Sequence, residues 1–225
     1  MVIVDAVRTM PNWHVTLCQS DSTPLPRGAA FLFSGGPSGI SSALGRPCFA
    51  RIERLGGVPR TLELHNGVQH MGRSGARHEW DIAIVPSEIT NAIRAGNQSY
   101  PRGLPILGIE CKDKADNGSV DEMRQTLARM YDLTHVSQAG QNLTHRMMDE
   151  NRQVGAGRRW PVYKTNYEKG LIGILRAGGF QRGAQELSDH YHIRRFGHVS
   201  QNNHGTRDNL QRAVRGVLTN IDAYL

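Results

Sequence analysis

The stretches HEWDIAIV at residues 78–85 and ILGIECK at residues 106–112 decide how this chain is read. Both are runs rich in Ile and Val, residues that favour a pleated, half-buried strand. Both also carry acid: Glu79 and Asp81 in the first, Glu110 in the second. Pro86 ends the first run, because proline cannot continue a hydrogen-bonded ladder. Successive strand side chains face opposite sides of a sheet. Glu110 and Lys112 therefore share a face, Cys111 points the other way towards a helix layer, and Glu79 and Asp81 share a face of their own strand. If the two strands pair, Asp81, Glu110 and Lys112 converge at one end of a sheet.

Such convergence is unfavourable without a counter-ion. Two carboxylates ~4 Å apart repel by about 4 kcal/mol at an effective dielectric near 20. The bland reading is a surface strand with an exposed ion pair, which contributes ~0–1 kcal/mol. Strands this apolar are expected to be buried, and that argues against casual charges. A Mg²⁺ ion, with Mn²⁺ as a substitute, takes oxygen ligands readily and removes the repulsion. Asp81 and Glu110 are the candidate metal ligands, and the backbone carbonyl of Cys111 is a further one. Lys112 stands where it can orient a metal-activated water or offset charge on a phosphoryl group.

Further strands and helices flank these two. TLELH at 61–65 alternates apolar and polar residues, as a half-buried strand does. A short helix fits residues 88–94. Val120, Met123, Leu127, Met130 and Tyr131 recur at helical spacing, with Ser119 as N-cap and Asp121 and Glu122 in the first turn. LIGIL at 171–175 is a short, wholly apolar strand of the kind that sits inside a covered sheet. A helix over about 181–191, a strand over 194–199 and a helix over about 207–224 complete the order. The alternation predicts an α/β fold, a mixed sheet flanked by helices. Residues 1–55 read poorly. A short strand fits 12–19, and some helix fits 40–55 with Pro47 interrupting it. The glycine-rich SGGPSG at 34–39 lacks the Lys-Ser/Thr of a phosphate-binding loop. Residues 137–168 are polar and read as an insertion. One domain is expected, with an N-terminal elaboration over about 1–55.

Asp81 followed by Glu110-Cys111-Lys112, each preceded by apolar strand residues, resembles the PD-(D/E)XK nuclease superfamily. Trp80 stands where that motif has its proline, a position often not proline in the superfamily. The order after the motif, a helix and then an apolar strand, also matches. The segment GFQRGAQEL at 179–187 resembles the strand-to-helix passage of Mrr-like type IV restriction endonucleases. The resemblance spans roughly residues 60–200, counted by elements of ordinary length. It implies a restriction-endonuclease-like fold, a four-stranded mixed core sheet flanked by helices. It also implies Mg²⁺-dependent phosphodiester hydrolysis, usually of DNA, in settings that include restriction and phage defence. Superfamily members often add an upstream acid, for which Glu53 and Glu63 are the candidates.

Composition agrees with a nucleic-acid partner. The 225 residues carry a formal net charge of +7 and a pI of about 9.7, a balance that favours polyanions. Three scattered cysteines, Cys18, Cys48 and Cys111, form no CxxC pair. They suit a reducing cytoplasm better than a zinc knuckle or a disulfide framework. No apolar run approaches the ~20 residues of a membrane helix. Arg158, Arg159, Lys164 and Lys169 stand among Trp160, Tyr163 and Tyr167, a mixture suited to phosphate contact and base stacking or to an ordinary solvated loop. Arg194, Arg195 and Arg207 are further phosphate candidates. His78 and Glu79 read as a solvated strand start, and Gln125 as a solvent-facing helix residue. His190, His192, His198 and His204 lack the spacing of a metal site.

A DNA endonuclease is therefore expected. The alternatives are a non-catalytic nucleic-acid-binding or assembly module on the same fold, and a nuclease for RNA or branched DNA. Sequence specificity would come from a homodimer, a partner protein or the N-terminal 55 residues.

Overall fold

The computed structural model describes residues 2–57, 59–72, 74–96, 99–133 and 170–221, and two short strands at 144–146 and 164–166. The elements are α1 (Val2–Arg8), β1 (Trp13–Cys18), β2 (Phe49–Arg54), β3 (Thr61–Met71), β4 (Arg77–Pro86), α2 (Ser87–Ala95), β5 (Leu107–Lys112), α3 (Val120–Leu133), β6 (Thr144–Arg146), β7 (Lys164–Asn166), β8 (Leu171–Arg176), α4 (Arg182–His190), β9 (Arg194–Phe196) and α5 (His204–Thr219). Seven strands form one mixed sheet in the order β1-β2-β3-β4-β5-β8-β9, while β6 and β7 pair with each other. From β1 to β5 every neighbour is antiparallel; β5–β8 and β8–β9 are parallel.

The α/β expectation holds, and the sheet is wider than four strands. Part of the extra width comes from the segment expected as an elaboration, since β1 and β2 extend the antiparallel side. The expected helix over 40–55 is corrected to a strand. In FARIER, Phe49, Ala50 and Ile52 are buried while Arg51 and Glu53 are not, and β2 is hydrogen-bonded on both sides. A run this short fits both periodicities, so pairing partners decide it. The N-terminal α1 had no sequence expectation; it buries Ile3, Val4, Ala6 and Val7 and packs on α5.

The core runs through Trp80, Ile84, Leu107 and Ile109 of the central strands, with Met123 and Met130 of α3 and Val214 and Leu218 of α5. Gly108 of β5 is where Trp80 fits. A Cβ there would lie 2.9 Å from Trp80 Cδ2 and 2.9 Å from Pro105 Cγ, so any larger residue would displace the indole beside Asp81.

Polar ties at both ends hold α3 against the sheet. At its start Ser119 Oγ accepts the Glu122 N–H at 3.4 Å, the expected N-cap. Arg176, 1% exposed at the end of β8, donates to both Glu122 carboxylate oxygens at 2.8 and 2.7 Å. It also donates to the Asp116 carboxylate at 2.6 Å and the Asp116 carbonyl at 2.9 Å. At the other end, Asp132 accepts from His78 Nε2 and Ser74 Oγ, both at 2.7 Å, joining α3 to the β3–β4 hairpin.

Candidate metal site at the β4–β5 end

Strands β4 and β5 pair through Ile84↔Leu107, Ala83↔Gly108 and Ile82↔Ile109. One step further along that register stand Asp81 and Glu110. There a side chain takes the place of a backbone acceptor: Asp81 Oδ2 accepts the Cys111 N–H at 2.5 Å. Glu110 Oε1 accepts from Lys112 Nζ, as expected for residues sharing a strand face. Glu110 Oε2 accepts from Arg129 Nη1, which reaches in from α3. The Arg129 guanidinium also lies 5.0 Å from the Trp80 ring centroid, within range of a cation–π contact.

The electrostatics separate the two acids. Burial alone would raise the Glu110 carboxyl, but hydrogen bonds from Arg129 and Lys112 outweigh it and hold the group below its usual range. Asp81 goes the other way. Burial raises it and the Glu110 carboxylate adds to this, and together they outweigh the lowering hydrogen bond from Cys111. Glu79 is raised as well, by burial first and then by Asp81 and Glu110. Three acids (Glu79, Asp81, Glu110) against two cations (Lys112, Arg129) leave a formal charge of −1. Among the described residues Asp81 has no ion-pair partner.

That half-buried, unneutralised carboxylate is what a hard cation would compensate. The side-chain donors are all oxygen, which suits Mg²⁺ and not a thiolate- or imidazole-loving metal. Among the described residues no group of three or more His, Cys, Asp or Glu is placed to hold a metal ion. Mg²⁺ commonly binds through one or two carboxylates, waters and substrate phosphates, so Asp81 and Glu110 are the residues that would hold it. The Cys111 thiol is pushed up to about 12 by burial and by the Asp81 and Glu110 charges, so it stays protonated.

No family model, curated protein or solved structure matches the chain.

The remaining sequence candidates separate clearly. Glu63 is 2% exposed and far along β3, opposite Val85. It accepts from Arg94 at 2.8 and 2.7 Å and contacts His65 at 2.9 Å, an internal ion pair that anchors α2. Glu53 pairs in register with His14 and Thr61, at the end of the sheet away from Asp81, and meets Arg51 at 3.5 Å. Neither acid joins the site. His78 is tied to Asp132, and Gln125 is exposed. Arg195 is engaged by Asp189 at 2.8 Å, Arg194 is exposed, and Arg207 is half-buried at the start of α5. Among the described residues the four late histidines form no ligand group. Arg158, Arg159, Trp160, Tyr163, Tyr167 and Lys169 lie outside the described residues, as does the Lys164 side chain.

Arg129 is the site residue that sequence reading missed. The signal was present: Glu122, Thr126, Arg129 and Leu133 recur at three- and four-residue spacing along one stripe of α3. A cation on the stripe that also holds the buried Thr126 and Leu133 faces the sheet.

Proposed function

We propose that this chain is a Mg²⁺-dependent nuclease that hydrolyses phosphodiester bonds, DNA foremost, on a restriction-endonuclease-like fold of the PD-(D/E)XK type. The observation that carries the reading is the meeting of Asp81 and Glu110 on adjacent strands, with Lys112 on Glu110. The order of β3, β4 and β5, followed by α3 and the parallel β8, agrees with the family resemblance.

Bound Mg²⁺ would polarise a phosphoryl oxygen and lower the pKa of a coordinated water. Asp81 and Glu110 would hold it. The Cys111 N–H fixes the Asp81 carboxylate in advance, the outer support that orients a metal ligand. Lys112, held by Glu110, presents an ammonium that orients the attacking water or offsets charge gathering on the phosphoryl oxygens. The net charge of +7 draws the polyanionic substrate in. A homodimer or a partner protein would supply sequence specificity.

The test is cleavage of plasmid DNA by purified protein with Mg²⁺ or Mn²⁺. Cleavage should vanish with EDTA and with Asp81→Ala. Undiminished cleavage by Asp81→Ala would refute the site.

One observation favours a second reading. Glu110 is already satisfied by Lys112 and Arg129 without any metal, as it would be in a non-catalytic nucleic-acid-binding module. Salt-sensitive DNA binding without cleavage under any metal selects that reading. Single-strand, junction and RNA substrates in the same panel separate the remaining classes.

A further inference from the structure

Arg129 stands where a metal-binding carboxylate would need to be free. Its guanidinium is hydrogen-bonded to Glu110 Oε2, while the other Glu110 oxygen carries Lys112. Both oxygens of the carboxylate are thus engaged by cations. A divalent ion entering between Asp81 and Glu110 would be repelled by the guanidinium, and holding it through both Glu110 oxygens would need the one that Arg129 engages. Lys112 sits on the same strand as Glu110, two residues along, and a shift of its flexible ammonium can accommodate an ion. Arg129 comes from a different element, α3, and its other contact is the face of Trp80 at 5.0 Å. That contact leaves the planar group free to slide off the carboxylate without losing all of its surroundings.

We propose that Arg129 is an internal counter-ion of Glu110 that is exchanged for the divalent cation. It holds the acid cluster together in the ion-free chain and leaves Glu110 Oε2 when the cation binds. The inference rests on the metal-site reading given above. It makes the site's metal affinity weaker than its carboxylates alone would give, because one charge-assisted hydrogen bond must be broken for each ion bound. Arg129 is therefore a positioning residue and not a ligand.

The experiment measures Mn²⁺ binding to the full chain by the loss of the free Mn²⁺ electron paramagnetic resonance signal. Arg129→Met keeps an unbranched apolar side chain over Trp80 and removes the charge, and Arg129→Gln is the second variant if the first does not fold. Mn²⁺ should bind about tenfold more tightly to either, the size of one such bond released. Arg129→Lys, which keeps the charge, should stay near the unaltered chain. A second readout uses a chain with Trp13→Phe and Trp160→Phe, leaving Trp80 as its sole indole. Saturating Mg²⁺ should shift Trp80 emission when Arg129 is present and leave it unmoved in Arg129→Met. A merely structural Arg129 predicts the reverse for the metal: unchanged or weaker Mn²⁺ binding once Glu110 loses its support, and that result overturns the exchange. Asp81→Asn and Glu110→Gln keep the two failures apart. If Mn²⁺ binding depends on both acids but Arg129→Met does not tighten it, the exchange alone fails. If binding ignores both substitutions, or neither the unaltered chain nor the variants bind, the metal site fails and the exchange with it.

Discussion

The Asp81 carboxylate and the Cys111 amide are joined by a 2.5 Å hydrogen bond between adjacent strands. The bond lets two effects of one side chain be separated. Asp81→Asn keeps an oxygen for the Cys111 N–H but loses the charge a metal needs. Asp81→Ala loses both. Cleavage should fall at least about a hundredfold in either, given the several kcal/mol of charge stabilisation that a bound metal supplies. Only Asp81→Ala should also lose stability, by ~1 kcal/mol or more, for the amide left without its acceptor. Urea unfolding beside a plasmid assay reads both; a destabilised but active Asp81→Ala would disprove the assignment.

Arg176 should resist conservative replacement. It is buried at 1% exposure and bridges Glu122 and Asp116 through Nε and both terminal nitrogens. Lysine offers a point charge and not a planar fork. Arg176→Lys should destabilise the fold by roughly 2 kcal/mol and Arg176→Met by about 3–5 kcal/mol, because Glu122 is left without its main partner. Equal urea midpoints for Arg176→Lys and the unaltered chain would contradict this account of the α3 anchor.

Glu63 should govern stability in acid without touching the chemistry. Burial works to raise it, but hydrogen bonds and charges from His65 and Arg94 bring it down from 4.5 to about 2. The contribution is fully present above about pH 4.5 and is lost as pH falls through 4.5 towards 2, since the unfolded chain takes up the proton first. Glu63→Gln should flatten that limb and lower stability at neutral pH by about 3–5 kcal/mol, leaving Arg94 buried without a counter-charge. The Mn²⁺ affinity of the folded protein should not change; a large change would tie Glu63 to the site after all.

His70 should act in a different pH window. It is fully buried, with Nδ1–H donating to the Gly103 carbonyl at 2.8 Å and Nε2 without a partner among the described residues. Burial lowers its pKa from 6.5 to about 4, with smaller help from His65 and His78. The folded chain thus holds this histidine neutral where the unfolded chain would protonate it. Stability from His70 is complete above about pH 6.5 and declines as pH falls from 6.5 to 4. His70→Asn retains a donor for Gly103 and removes the titration. The difference in unfolding free energy between pH 6.5 and 4.5 should therefore be smaller in the variant; an identical difference would show that His70 is not held neutral.

How much was legible in advance follows from particular residues. The strands at 78–85 and 106–112 announced themselves because apolar, β-branched runs bounded by proline or charge have few alternatives. The α3 stripe and its Ser119 cap were legible for the same local reason. β2 was not, because six residues carry too little period to separate helix from strand, and its burial comes from β1 and β3 on either side. The choice between Glu53 and Glu63 was equally closed to sequence. Both sit near strand positions, and only the register puts them away from Asp81 and hands Glu63 to Arg94.

Sequence alone determined that Glu110 and Lys112 share a face, because the two-residue period of a strand is local covalent geometry. It also determined that Asp81 lies in a strand able to meet them, and that the chain is basic. Tertiary structure decided the rest. It set Asp81 one register step beyond Ile82↔Ile109 and tied it to the Cys111 amide. It brought Arg129, nineteen residues away, onto Glu110, and spent Glu63 and Arg176 on anchoring helices. The physical reason is the range of the forces. Backbone alternation acts over neighbours in sequence, whereas pairing a buried charge depends on which distant element the fold delivers beside it.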